Sequence, residues 1–146
     1  MIQKLILFFI LSLTLVSCNI NGTNFNEEAE KIKAEKVADQ LYESLKNNDL
    51  ESADALFSDE LYKITSKEQL NLFLKKTSAL GTYQSRKLID WQSTNTVGTN
   101  SISTCILVYE VIYENDKSQE TIGLLKDDTK TYKIIKYIVK SDLLLK

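Results

Sequence analysis

SISTCILVYEVIY, residues Ser101 to Tyr113, sets the architecture of this chain. β-Branched and aromatic residues dominate it, the composition of a strand. One side of that strand would carry Ile102, Ile106, Val108 and Ile112, and the other Cys105, Leu107, Tyr109, Val111 and Tyr113. The run from Thr131 to Lys140, TYKIIKYIVK, repeats the pattern, with Tyr132, Ile134 and Ile138 opposite Ile135, Tyr137 and Val139. An antiparallel sheet with one wet face alternates apolar with polar residues. Here both faces are apolar, so the second must curl on itself, line a cavity or meet a partner.

Outward from this stretch, strands are expected near Thr82–Ser93, Ser101–Tyr113, Gln119–Lys126 and Thr131–Lys140. The polar links Thr94–Asn100, Glu114–Lys117 and Asp127–Thr129 are short, which favours antiparallel neighbours in a meander. Upstream the period is helical. Ala34, Val37, Ala38, Leu41, Tyr42 and Leu45 share one face of a helix that begins near Glu27. Ile32 falls off that stripe, and Asn47-Asn48-Asp49 stops the helix. Asp49 is placed to cap a short second helix carrying Leu50, Ala53, Leu56 and Phe57. Ser66 with Gln69 forms a capping box ahead of Leu70, Phe73, Leu74, Thr77 and Leu80, and Gly81 supplies a left-handed stop. Lys67, Lys75 and Lys76 fall on the solvated side. The expected class is α+β, with N-terminal amphipathic helices packed on a four-stranded antiparallel meander.

The amino terminus reads as an address. Lys4 precedes an apolar run from Leu5 to Val16, about 12 residues where a membrane span needs about 20. Such a run fits the h-region of a secretion signal. It ends in Leu15-Val16-Ser17-Cys18, which resembles the bacterial lipobox. The resemblance implies cleavage before Cys18, diacylglycerol on its sulfur and acylation of the new amino terminus with a fatty acid such as palmitate. The expected division is residues 1–17 as signal peptide, 18–26 as lipidated Cys and polar tether, and 27–146 as a single domain. The expected location is the bacterial cell envelope, lipid-anchored. Asn19 is not the Asp that favours inner-membrane retention in some bacterial lipoproteins, which points to the outer membrane.

Composition removes several functions. The 146 residues contain 18 Lys+Arg, 20 Asp+Glu, no His and no Pro, for a net charge of −2. Without His there is no Ser-His-Asp or Cys-His nucleophile and no His-based zinc site. No basic block suits nucleic acid. No acidic spacing matches a calcium loop and no glycine-rich cradle suits a phosphate, so no metal and no cofactor are expected. With Cys18 committed to lipid, Cys105 is left without a disulfide partner and reads as a small core hydrophobe.

Helix, short Asp-Leu-type helix, third helix ending in Gly, then a meander is similar to small bacterial lipoproteins of the nuclear-transport-factor-2-like (cystatin-like fold) superfamily. The features that carry the likeness are Lys46-Asn47-Asn48-Asp49-Leu50 followed by Leu56-Phe57, and Leu80-Gly81-Thr82-Tyr83 entering the sheet. The resemblance implies a strongly curved, cone-like roll, a pocket in some members and frequent dimerisation through the sheet. Glu110 is the only charge between Ser101 and Tyr113, and facing a dry pocket it would be a general base. The alternative for it is a cross-strand pair with a lysine such as Lys133 or Lys136, or a reach to solvent at a bulge. Asp90 is a weaker candidate of the same kind, and Trp91 would floor a pocket or pack in the core. The leading expectation is a non-catalytic binding domain that meets the membrane through its lipid and engages a protein partner or a second copy of itself. Two others stand beside it: a small-molecule isomerase or hydratase with Glu110 and Trp91 in the cone, and an inhibitor or immunity-type protein that caps one partner.

Overall fold

The computed structural model describes residues 22–98, 101–126 and 131–145. Cys18 and the expected signal peptide lie outside the described residues. A short strand β1 (Gly22–Phe25) is followed by α1 (Glu28–Lys46), α2 (Leu50–Asp54), α3 (Asp59–Tyr62) and α4 (Lys67–Thr77). A 3₁₀ turn (Ser78–Leu80) leads into β2 (Tyr83–Val97), β3 (Ile102–Tyr113), β4 (Lys117–Lys126) and β5 (Tyr132–Lys140), and a second turn (Leu143–Leu145) follows. The strands form one open antiparallel sheet in the order β1-β2-β3-β4-β5. The fold is therefore α+β as expected, with five strands where four were expected.

The fifth strand comes from the segment read as tether. Gly22, Thr23, Asn24 and Phe25 pair with Val97, Thr96, Asn95 and Thr94. The sequence pattern reads those β2 residues as a link. Both segments are Thr- and Asn-rich, so their pairing rests on backbone hydrogen bonds rather than on a buried apolar face. Asn26 then turns the chain into α1 with φ 53°, a left-handed conformation that Asn tolerates.

Helix α1 lies over the inner face of the sheet. Its stripe Ala34, Val37, Ala38, Leu41 and Tyr42 is buried against Cys105, Leu107, Tyr109, Val111, Ile122, Leu124 and Ile134. Leu70 and Leu74 of α4, with Leu80, close the far side of the core. Emptying one such site, as in Leu41→Ala, typically costs about 2–5 kcal/mol. The caps form as read: Asp49 accepts from Ser52 N–H, and Ser66 with Gln69 makes the reciprocal capping box. Ser58 additionally caps the single turn α3.

At Gly81 φ is +88°, and a Cβ there would lie 2.9 Å from Asn115 Nδ2 and from Glu114 Cβ. The chain can pass from helix to sheet at that point only without a side chain. Register shifts between Tyr83 and Ser85, between Leu88 and Asp90, and between Gly123 and Leu124 bend the strands. The free edge of β5 is covered by the segment after α2. Ser58 N–H donates to Ile134 O and Ile134 N–H donates to Leu56 O, each at 2.9 Å.

Candidate functional site

The inner face holds an acidic centre that the sequence reading did not anticipate. Glu120, on the same side of β4 as Ile122 and Leu124, is fully buried. Ser118 Oγ donates to its Oε1 at 2.7 Å and Tyr113 Oη to the same oxygen at 2.9 Å. Tyr42 Oη donates to Oε2 at 2.9 Å and Tyr137 Oη at 2.6 Å. An ionised carboxylate offers about four acceptor positions, and four hydroxyls occupy them. Burial first, and the adjacent Glu120 second, hold the Tyr42, Tyr113 and Tyr137 hydroxyls well above the usual tyrosine range. All three therefore stay protonated and donate.

Arg86 borders this centre from β2. Its guanidinium lies 4.6 Å from the Tyr42 ring centroid and 5.2 Å from that of Tyr109, donates to Tyr83 Oη at 3.2 Å and pairs with Asp39 of α1. Tyr42 stacks on Tyr83 with centroids 5.3 Å apart and meets Tyr109 edge-on at 5.9 Å. Side chains thus fill the space between α1 and the sheet. Among the described residues, nothing partners the buried Arg86 Nε or the Tyr109 hydroxyl. Burial pushes Tyr109 up to about 12, with Arg86 pulling the other way.

A second buried carboxylate ties the start of α1 to the far end of the sheet. Glu30 accepts from Lys126 Nζ at 2.5 Å, Lys33 Nζ at 2.7 Å and Tyr132 Oη at 2.8 Å. Burial alone would raise the Glu30 carboxyl, but hydrogen bonds from the two lysines and Tyr132 more than offset it and hold it down to about 2. The signal for Glu30 was its position one turn before Ala34, on the buried stripe. For Glu120 the signal was its parity with Ile122 and Leu124.

The residues singled out from the sequence are dispersed. Glu110 is exposed on the outer face, opposite Lys87 on β2 and Gln119 on β4. The dry pocket that a general base requires is not at that position: Glu110 reaches solvent, and its cross-strand lysine is Lys87 rather than Lys133 or Lys136. Asp90 is also exposed, and its carboxylate accepts the Trp91 N–H at 2.8 Å. Trp91 faces inward and is half-buried against the core, with Lys31 Nζ 5.2 Å above its ring. Glu110 and Trp91 thus stand on opposite faces of the sheet and do not share a site. Cys105 is fully buried in the core and free, and burial pushes its thiol up to about 12. Among the described residues no cluster of three or more His, Cys, Asp or Glu side chains is placed to hold a metal.

The outer face is the remaining candidate. Ile102 and Ile106 are 49% and 44% exposed along β3, continuous with the half-buried Val108 and Ile112. Thr94, Thr104 and Thr121 flank them, Ile138 extends the patch onto β5, and Lys87, Glu110, Lys117, Lys136 and Lys140 surround it. An apolar centre with a charged rim is the anatomy of a protein interface. Four long strands about 4.8 Å apart and roughly 35 Å long present about 700 Å² in projection. That is close to the roughly 800 Å² each partner contributes to an interface of ordinary size.

No protein-family model matches the chain, and no curated protein matches it in sequence. None of the described helices is long and apolar enough to cross a membrane.

Proposed function

We propose that this protein is a lipid-anchored, non-catalytic binding domain of the bacterial cell envelope, working through the outer face of its sheet. A second copy of the same chain is its first occupant. The observation that carries the reading is the exposed apolar strip Ile102–Ile106–Val108–Ile112 at the centre of a sheet whose other face is already covered by helices. A face-to-face pair would remove that strip from water. Each fully buried isoleucine is worth about 1.5–3 kcal/mol, and Glu110 would face the partner's lysine rim. Such pairing is self-complementary, as two-fold dimers require.

The fully occupied Glu120 carboxylate supports a binding rather than a catalytic reading. Each Glu120 oxygen already accepts two hydroxyls, and the aromatic rings around Arg86 fill the space that a substrate would need. The bulges in β2 and β5 support, as part of the proposal, the resemblance to the cone-like roll of nuclear-transport-factor-2-like lipoproteins. The anchor rests on the lipobox-like Leu15-Val16-Ser17-Cys18. The Cys18→Ala protein should move from the membrane to the soluble fraction. In that soluble form, sedimentation equilibrium of Ile106→Lys should show a weakened dimer with unchanged circular dichroism. Dissociation indistinguishable from the parent would remove the outer face from the account.

A further inference from the structure

Gly22–Phe25 is bound along the whole of its length to β2, and the bonding continues past the strand. Asn26 N–H donates to Ser93 O at 2.9 Å, and Ser93 N–H donates back to Asn26 Oδ1 at 3.1 Å. Glu27 N–H donates to Ser93 Oγ at 3.0 Å, while the Glu27 carboxylate accepts from Asn24 Nδ2 at 3.1 Å and Asn95 Nδ2 at 2.8 Å. The chain leading to the domain is therefore fixed to the sheet from Gly22 onward. Only Asn19, Ile20 and Asn21 separate Gly22 from Cys18. Four residue steps span at most about 14 Å.

Gly22 pairs with Val97, the last residue of β2, so the fixed point lies at one end of the sheet. Ile102 lies at this end too, one pair inward against Thr96. Tyr83, Tyr113, Lys117 and Lys140 mark the opposite end, about 37 Å away along β3. Two exposed apolar side chains lie at the fixed end, Val97 at 46% and Ile102 at 49%, and Phe25, three pairs inward along β1, is 66% exposed. The short covalent reach and the apolar end are independent observations, and they select the same surface.

We infer that in the lipidated protein the end of the sheet bearing Gly22, Val97 and Ile102 rests on the bilayer surface, with the strands standing away from the membrane. The occupant of this apolar end is a lipid surface because the chain outside the structure leads from it to an acylated residue within a few residues' reach. This orientation rests on the lipidation of Cys18 proposed above. It turns the outer face sideways, toward a neighbouring molecule anchored in the same membrane, rather than down onto lipid.

The test uses full-length lipidated protein carrying Ser101→Cys or Lys117→Cys, each labelled with a thiol-reactive fluorophore. Both positions are exposed, at opposite ends of the sheet, whereas Cys105 is fully buried and the unsubstituted protein serves as the labelling blank. The proteins are reconstituted in phosphatidylethanolamine/phosphatidylglycerol vesicles containing a headgroup-linked quencher. The label at position 101 should be quenched several-fold more strongly than the label at position 117. Equal quenching, or stronger quenching at 117, in protein that floats with the vesicles would overturn the orientation and leave the anchor standing. Protein that stays out of the membrane fraction before reconstitution would overturn the anchor and the orientation with it.

Discussion

Replacing Glu120 by Gln keeps the side chain's size and exchanges one acceptor oxygen for a donor. Whichever way the amide settles, two hydroxyls that now donate must face an NH₂ group: either Tyr42 and Tyr137, at 2.9 and 2.6 Å, or Tyr113 and Ser118, at 2.9 and 2.7 Å. A hydrogen bond to a charged group contributes about 1.5–3 kcal/mol, and an unsatisfied buried group costs about 1–3 kcal/mol. Removing a buried charge returns part of that, because the carboxylate no longer has to be taken out of water. The balance is a loss of about 2–4 kcal/mol, or a fall of roughly 10 °C in Tm for a domain of this size. Tyr137→Phe removes one donor and leaves three, for about 1.5–3 kcal/mol. The double variant should cost less than the sum, because both changes act on one network. Urea titrations followed by far-ultraviolet circular dichroism and by the fluorescence of Trp91, the only tryptophan, measure all three. A Glu120→Gln loss below about 0.5 kcal/mol, the ordinary scatter of surface substitutions, would refute the closed network and reopen the interior as a site.

Three further outcomes follow from the same geometry. Glu30 is held down to about 2 from an ordinary value of 4.5, so its contribution is fully present above pH 4.5 and is lost as pH falls toward 2. Allowing for screening at the exposed Lys33 end, acid titration of Glu30→Gln beside the parent should show a stability gap of about 1–2 kcal/mol at neutral pH that closes over that window; a constant gap contradicts the cluster. Gly81→Ala places a Cβ 2.9 Å from Asn115 and Glu114 at a φ of +88°, and should lower stability by at least about 1–2 kcal/mol in the same denaturation assay. Cys105, fully buried with its thiol pushed up to about 12, should react with an aromatic disulfide reagent only on unfolding, so prompt labelling of folded protein at pH 8 would contradict its place in the core.

The helical half of the fold was open to reading because its signals are local. The period of 3.6 in α1, the reciprocal Ser66–Gln69 cap and the Gly81 stop each need only a few neighbouring residues. Strand β1 was hidden for the opposite reason. Its four residues bury no apolar face, and its partner is the Thr/Asn end of β2, some seventy positions away. The bulge between Leu88 and Asp90 breaks the period of two, setting Ile89 on the solvent side with 47% exposure and Trp91 on the inner side. The buried acids were masked by their company: Glu30 sits among the acidic residues that open a helix, and Glu120 in the polar start of a strand. Their tyrosine partners come from three different elements, α1, β3 and β5. No spacing along the chain encodes such a convergence. Glu110 stood out because it interrupts an apolar run, yet the strip it interrupts is the one that faces outward.

Native mass spectrometry of the Cys18→Ala protein, purified gently from bacteria, reads subunit number and any retained small molecule in one spectrum. A binding domain that works through its outer face predicts the mass of two chains with nothing added. A single chain carrying a small molecule would contradict it and make the interior a working pocket; a bare single chain would contradict self-pairing through the sheet.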